Sequence, residues 1–182
     1  MILSALTPRT VATVSAKNNF SDNGERYYYA FLTEERNAGH ESKHTPQHIT
    51  LIPPFNAKKE DVLAVAKETA ADFNPFEIET GEHTMFGPEK NIPVIEIKPN
   101  QILHAIHLAL LARLEARDII IKEGKFIGDD YVPHIALKKF HPRLEETRPI
   151  LVDHIAVMHK FKNIKTVIVK NTLGINDEAA AR

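Results

Sequence analysis

The chain has 182 residues, of which 43% are apolar and 26% charged, a balance that fits one compact domain or two closely fused small lobes and excludes a disordered chain. A formal net charge of −1 excludes wholesale coating of a nucleic-acid backbone but leaves room for a small anionic ligand. The absence of cysteine excludes disulfides, thiolate metal sites and cysteine nucleophiles, and no run reaches membrane-spanning length, so the expected setting is cytoplasmic and away from a membrane.

Residues 9–16 alternate weakly and lead into a turn cluster at 18–24, which predicts a short strand and a loop. Residues 26–33 are rich in β-formers and predict a central strand, with Tyr27, Tyr29 and Phe31 on one face and Tyr28, Ala30 and Leu32 on the other. Tyr27 and Tyr29 are candidates for stacking a nucleobase, although at least one face of such a strand must be core. A polar stretch, 34–46, delivers the chain to a strand at 47–52, which Pro53 and Pro54 are expected to end. Asn56 is the expected cap of a helix over 57–73, with Val62, Val65, Ala66 and Phe73 as its apolar stripe.

Residues 76–80 and 92–97 alternate at period two and are expected to pair antiparallel around a turn at 86–91. Asn100 caps a second helix, in which Leu103, Ile106, Leu110 and Leu114 recur at helical spacing. A loop around Gly124 and Gly128 leads to another short strand near His134. Residues 142–149 read as a loop or short helical turn, 150–158 and 166–173 as the last two strands, and 176–182 as a frayed tail on a single domain of residues 1–175. Strands and helices interleave without the regularity of a doubly wound fold, so an α+β duplication fits better.

Two short runs organise the rest. Gln47-His48-Ile49-Thr50-Leu51 returns in near copy as Pro133-His134-Ile135-Ala136-Leu137, with the two histidines 86 positions apart. Alternation sends Ile49 and Leu51 into a core while His48 and Thr50 face the other way, and it puts His134, Ala136 and Lys138 on one face of the second run. Either histidine alone is explained as part of a half-exposed strand surface. Together they offer what in-line chemistry at phosphorus needs, one group to take a proton from the attacking oxygen and another to give one to the leaving oxygen.

The other histidines point nowhere as clearly. His40, His44 and His48 recur at steps of four, but Pro46 breaks the helix that such a metal site requires, and no metal is expected. His104 and His107 are placed at the solvent edge of the second helix. His83, His141, His154 and His159 find no partner by spacing. Residues 138–170 hold eight Lys or Arg against three acids, which reads either as a solvated face or as a local phosphate-attracting rim.

On its two motifs the chain resembles the 2H phosphoesterase superfamily, whose best-known branch is the LigT-like group of 2′-5′ RNA ligases and cyclic phosphodiesterases. That family is named for two His-x-Thr/Ser motifs, each followed by an apolar residue, on the halves of a pseudo-symmetric fold. His48-Ile49-Thr50-Leu51 matches in full, whereas the second motif has Ala136 where the family has threonine or serine. Tyr131-Val132-Pro133 and Phe86-Gly87 are similar to family flanks, and the resemblance spans residues 26–173.

The resemblance implies two lobes, each an antiparallel sheet backed by helix, facing one another across a cleft with a histidine on either wall. It implies a phosphodiesterase that needs no metal or cofactor, with His48 and His134 as general acid and base in an order left open. Thr50 would donate to a non-bridging phosphate oxygen; apart from the resemblance, alternation places Lys138 on the His134 side of its strand, where its ammonium is the candidate to supply charge that Ala136 leaves without a hydroxyl. The implied substrate is a nucleotide or RNA end with a 2′,3′-cyclic phosphate or a 2′-5′ linkage. Cleavage of cyclic or 2′-5′ oligonucleotide signals and a catalytically weakened nucleotide- or RNA-binding module are the alternatives, and no obligate protein partner is expected.

Overall fold

Among the residues that the computed structural model describes, 24–121, 126–141, 143–144 and 149–175, the chain forms nine strands and two α-helices. The expected strand at 9–16 and the tail at 176–182 lie outside the described residues. In chain order the elements are β1 (Glu25–Leu32), β2 (Glu41–Ser42), β3 (His48–Phe55), α1 (Lys59–Ala71), β4 (Phe76–Phe86), β5 (Ile92–Ile97), α2 (Gln101–Glu115), β6 (His134–Ala136), β7 (Pro149–Val152), β8 (His154–Phe161) and β9 (Ile164–Thr172). The strands run in the order β2-β9-β8-β1-β3-β6-β5-β4-β7, with every pairing antiparallel. The two motif strands, β3 and β6, are neighbours at the middle, and the fold is α+β in two lobes, one built outward from each of them.

Both helices cover one face. Val62, Val65 and Ala66 of α1 and Leu103, Ile106, Leu110 and Leu114 of α2 are buried against Tyr29, Ile49, Leu51, Ile95 and Ile135 of the sheet. Each fully buried Leu or Ile contributes roughly 1.5–3 kcal/mol through the apolar area it withdraws from water. Asn100 caps α2 as its sequence position predicts, its Oδ1 accepting from the Leu103 amide at 2.9 Å. A smaller cluster on the opposite face joins Tyr28, Ala30 and Leu32 of β1 to Ala156, Met158 and Val167. Strand alternation therefore divides β1 as the sequence implies, and the face without helices is the one that carries His48 and Thr50.

Several expectations change on contact with the fold. Pro53 and Pro54 do not end β3, which continues to Phe55; β6 pairs with β3 only near Ile49, and the β1 pairing is bulged there, so the missing amides deprive no ladder partner. Lys58 rather than Asn56 stands at the N-cap of α1, and its side chain makes no capping bond. The single strand expected over 150–158 is two strands. β7 pairs with β4 and β8 pairs with β1, and the chain changes lobes at Asp153, whose carbonyl accepts from Leu173 and whose carboxylate meets the His154 ring. Within the polar stretch 34–46, the short β2 pairs with the start of β9.

Candidate active site

The pairing of Ile49 with Ile135 fixes the centre of the site. One step to either side, His48 falls across from Ala136 and Thr50 across from His134. In an antiparallel pair directly opposite residues share a face, so the two imidazoles, Thr50 and Ala136 form one patch on the helix-free side of the two central strands. All four are half-buried, sheltered enough to hold their geometry and open enough to meet a ligand.

Each histidine is oriented by the same local device. His48 Nδ1 lies 2.6 Å from the Pro46 carbonyl oxygen, and His134 Nδ1 lies 2.8 Å from that of Val132. A carbonyl oxygen only accepts, so Nδ1 carries the hydrogen in both rings and Nε2 is left for chemistry. Repetition of this i−2 contact on both motifs follows from the same entry geometry into two related strands.

The surroundings differ sharply. Tyr28 packs its ring 5.9 Å from that of His48. Burial pushes the His48 imidazole down to about 4; the Pro46 hydrogen bond opposes this, while the charges of Lys138, His141 and His134 add to the fall. Lys138, just beyond β6, is itself lowered by partial burial and then by Lys165, with its ammonium 5.8 Å from the Phe140 ring centre. His134 instead lies beside two stacked aromatic rings. Its ring centre is 4.7 Å from Phe86 and 5.8 Å from Phe126, and those two phenylalanines stack within 3° of parallel at 5.3 Å. Glu96 of β5 stands directly opposite His134. Nearby, a cavity of about 560 Å³ is bordered by Glu96, Asn100, His104, Tyr131 and Val132.

Beneath the patch a second layer ties the two motifs together. His107 is fully buried rather than at the solvent edge of α2, because its ring spans two backbone groups. Its Nδ1 donates to the Leu51 carbonyl at 2.7 Å, and its Nε2 accepts from the Gly128 amide at 2.9 Å. Tyr131 stacks on it at 4.0 Å and donates its hydroxyl to the Thr50 carbonyl at 2.9 Å. The strand that carries His48 is thereby bonded to the segment that delivers His134. Burial lowers the His107 pKa, against the Leu51 hydrogen bond, with His104 adding to the fall.

The structure thus brings together His48, His134, Thr50 and Lys138. It does not bring Tyr27 and Tyr29 to them. Tyr29 is wholly buried on the helix side with its hydroxyl donated to the Val62 carbonyl at 2.9 Å, and Tyr27 is buried in the same core cluster, so neither offers a face to a base. Tyr28 is the tyrosine on the His48 side. Phe126 and His107 were not legible in the sequence, since one follows a loop without periodic pattern and the other looks like any histidine on an amphipathic helix. His141, without a partner by spacing, faces two carbonyl oxygens, Ala136 at 3.1 Å and Thr45 at 2.9 Å, and so bridges the ends of both motifs.

Comparison with known proteins places this geometry. A family model described as the 2′-5′ RNA ligase superfamily matches residues 26–160. A protein of Geobacillus kaustophilus (strain HTA426) that carries a phosphoesterase name is 33% identical over 103 residues, and one of Geobacillus sp. (strain WCH70) with a similar name is 26% identical over the same length. The match covers 55% of this chain and 55% of each of these relatives, so it spans about half of their length. Among solved structures, TT0787 of Thermus thermophilus superposes with a TM-score of 0.54 at 20% identity, over 82% of this chain and 98% of its own. E. coli LigT complexed with 3′-AMP gives a TM-score of 0.53 at 13% identity, over 83% of this chain and 99% of its own. These likenesses agree with the two-lobed fold, and with the family match over most of its length the chain belongs to the 2′-5′ RNA ligase superfamily of 2H phosphoesterases.

Proposed function

We propose that the chain is a phosphodiesterase acting on a nucleotide or RNA end that carries a 2′,3′-cyclic phosphate or a 2′-5′ linkage, with His48 as general base and His134 as general acid. The observation that carries this reading is the matched pair of imidazoles on adjacent central strands, each with Nδ1 held by a carbonyl and Nε2 left for proton transfer. In the hydrolytic direction His48 removes a proton from water as the oxygen attacks phosphorus, and His134 protonates the departing ribose oxygen. The assignment follows from the difference in surroundings. His48 is desolvated beside a lysine, which keeps it neutral at neutral pH, the form a general base needs, and the part of the acid then falls to its counterpart His134.

Thr50 donates its hydroxyl to a non-bridging phosphate oxygen, where charge grows in the transition state, and Lys138 supplies a cation near His48 and Ala136. That E. coli LigT was solved with 3′-AMP supports the proposed substrate class.

The test is turnover of 2′,3′-cyclic nucleoside monophosphates, 2′-5′ and 3′-5′ oligonucleotides and cyclic dinucleotides in the presence of EDTA. Cleavage of the first or second class with EDTA present is expected. The kcat/KM profile should fall on the acid side as His48 gains its proton near pH 4, and fall again on the alkaline side as the acid is consumed. A profile that climbs steadily to high pH, or activity lost to EDTA and restored by zinc, assigns the chemistry to a metal-bound hydroxide instead.

A further inference from the structure

Three cations stand in a row across three strands. The β1 and β8 register puts Arg26 directly opposite Lys160, and the β8 and β9 register puts Lys160 directly opposite Lys165. Opposite residues in an antiparallel sheet share a face. Arg26 alternates onto the same face of β1 as Tyr28, Ala30 and Leu32, and Ala30 and Leu32 are in turn opposite Thr50 and His48. The row and the catalytic patch therefore lie on one side of the molecule.

Like charges placed directly opposite one another destabilise a sheet, and here it happens twice in succession. Among the described residues none of the three cations forms an ion pair with a carboxylate that would relieve it, and the Lys165 ammonium donates only to the carbonyls of Lys43 at 2.9 Å and Asn163 at 3.1 Å. Glu25, next to Arg26 in sequence, alternates to the other face and meets Tyr27 and His159. Arg26 and Lys160 are exposed and Lys165 is half-buried. Lys138 continues the line of charge inward, since it feels Lys165 on one side and acts on His48 on the other.

We propose that Arg26, Lys160 and Lys165 form a track for the phosphodiester backbone of a single-stranded RNA whose reacting end lies between His48 and His134. Along β1, Arg26 lies six positions from Leu32, which is level with His48, and four from Ala30, which is level with Thr50 and His134, about 13–20 Å at strand rise and farther than one nucleotide reaches. Repeated phosphates complement a row of spaced cations, while a mononucleotide has its phosphate only at the histidines. The net charge near zero makes the row a local feature rather than part of a generally basic surface. The inference deepens the proposed function and rests on it for the position of the RNA end.

Binding by fluorescence anisotropy tests it without requiring turnover. The probes are a labelled RNA single strand of about twelve nucleotides with a 3′-phosphate, the same RNA as a duplex, and a labelled nucleoside 3′-phosphate. The variants are Arg26→Gln/Lys160→Gln, the charge-keeping Arg26→Lys, and Lys59→Gln on α1 as a control, each shown folded by its Tm. Removing two phosphate contacts should flatten the salt dependence for the single strand by about 1.4 in log–log slope, and should weaken its binding roughly tenfold at low salt. The nucleoside phosphate should lose several-fold less, and Arg26→Lys should bind like the parent.

An unchanged slope, an equal loss on the nucleoside phosphate, or duplex binding as tight as single strand overturns the track. If the parent binds RNA through the row but cleaves none of the substrates, the catalytic reading fails and the track stands. If cyclic mononucleotides are cleaved but RNA binding ignores the row, the track fails and the catalytic reading stands.

Discussion

The two motif strands share one pattern and do different things. β3 is eight residues long and β6 three, yet each holds its histidine by the carbonyl two residues back and presents it to the same face. Around His48 are a buried tyrosine and a lysine; around His134 are two stacked phenylalanines and, across the strand, a carboxylate. The repeated part is backbone geometry, which sets where a proton can be exchanged. The divergent part is the electrostatic setting, on which the proposed assignment of base and acid rests. A symmetric scaffold can thus hold an asymmetric reaction.

Removing either ring is the strongest way to break the comparison. His48→Ala and His134→Ala should each lower kcat/KM by about 100- to 10,000-fold while circular dichroism stays native, because both rings lie half-buried on the helix-free face rather than in the core. Near-normal turnover by either folded variant sinks the two-histidine mechanism. The pH profiles sharpen the result, since residual activity of His48→Ala should lose the fall near pH 4 whereas that of His134→Ala should keep it.

Next in size is the joint between the halves. His107→Ala leaves the Leu51 carbonyl and the Gly128 amide without a partner, at roughly 1–3 kcal/mol each. At about 2–4 °C per kcal/mol for a chain of this size, Tm should drop by roughly 5–20 °C. His107→Gln, which keeps a donor and an acceptor, should recover part of it. The pH dependence carries a sign. Burial depresses the pKa of His48, His107 and His154, so the unfolded chain takes up more protons than the folded one as pH falls below about 6.5. Stability should be complete above that pH and decline as it falls through the folded values, and His107→Gln should make the decline shallower in urea titrations at several pH values.

These residues also mark the limit of sequence reading. The alternation around His48 and His134 was legible, because a strand with one buried face repeats with period two and the structure keeps both. So were Asn100 as a cap and the stripe of α2, since both are local consequences of helix geometry. Asp153 was not, because a run of β-formers gives no sign that its two ends pair with different lobes. His107 escapes a local pattern for a related reason, its buried position being set by a carbonyl 56 residues away in sequence. Tyr27 and Tyr29 show that a pattern of alternation identifies two faces without saying which one is core.

A smaller effect probes the departure at Ala136. The site lacks the second-motif hydroxyl across from His48, and Lys138 is the cation that makes itself felt there. A hydrogen bond to a charged group contributes about 1.5–3 kcal/mol. Lys138→Ala should therefore cost roughly tenfold or more in kcat/KM, and less in an Ala136→Thr background, where a hydroxyl shares the load. Measuring the two single variants and the double variant closes the cycle. Strict additivity, with Lys138→Ala silent in both backgrounds, would remove Lys138 from the site, and activity that appears only on Ala136→Thr would make the natural protein a binder.

The smallest expected change separates the two strands on the His48 side alone. Tyr28 is 5% exposed, and among the described residues its hydroxyl is buried without a hydrogen-bond partner, a state that costs about 1–3 kcal/mol relative to a solvated group. Burial also raises its pKa, so the hydroxyl stays protonated at working pH and cannot act as a base. Its ring, by contrast, packs against His48 and helps keep water from it. Tyr28→Phe keeps the ring and removes the orphan hydroxyl, so Tm should rise by a few degrees with kcat/KM unchanged and the fall near pH 4 retained. Tyr28→Ala removes both, and the acid limb should then move up toward the ordinary histidine value of about 6.5 as water reaches the imidazole. If Tyr28→Phe instead lowers kcat/KM, the hydroxyl meets the substrate, and the His48 half of the site has a donor of its own for the position that Ala136 leaves empty.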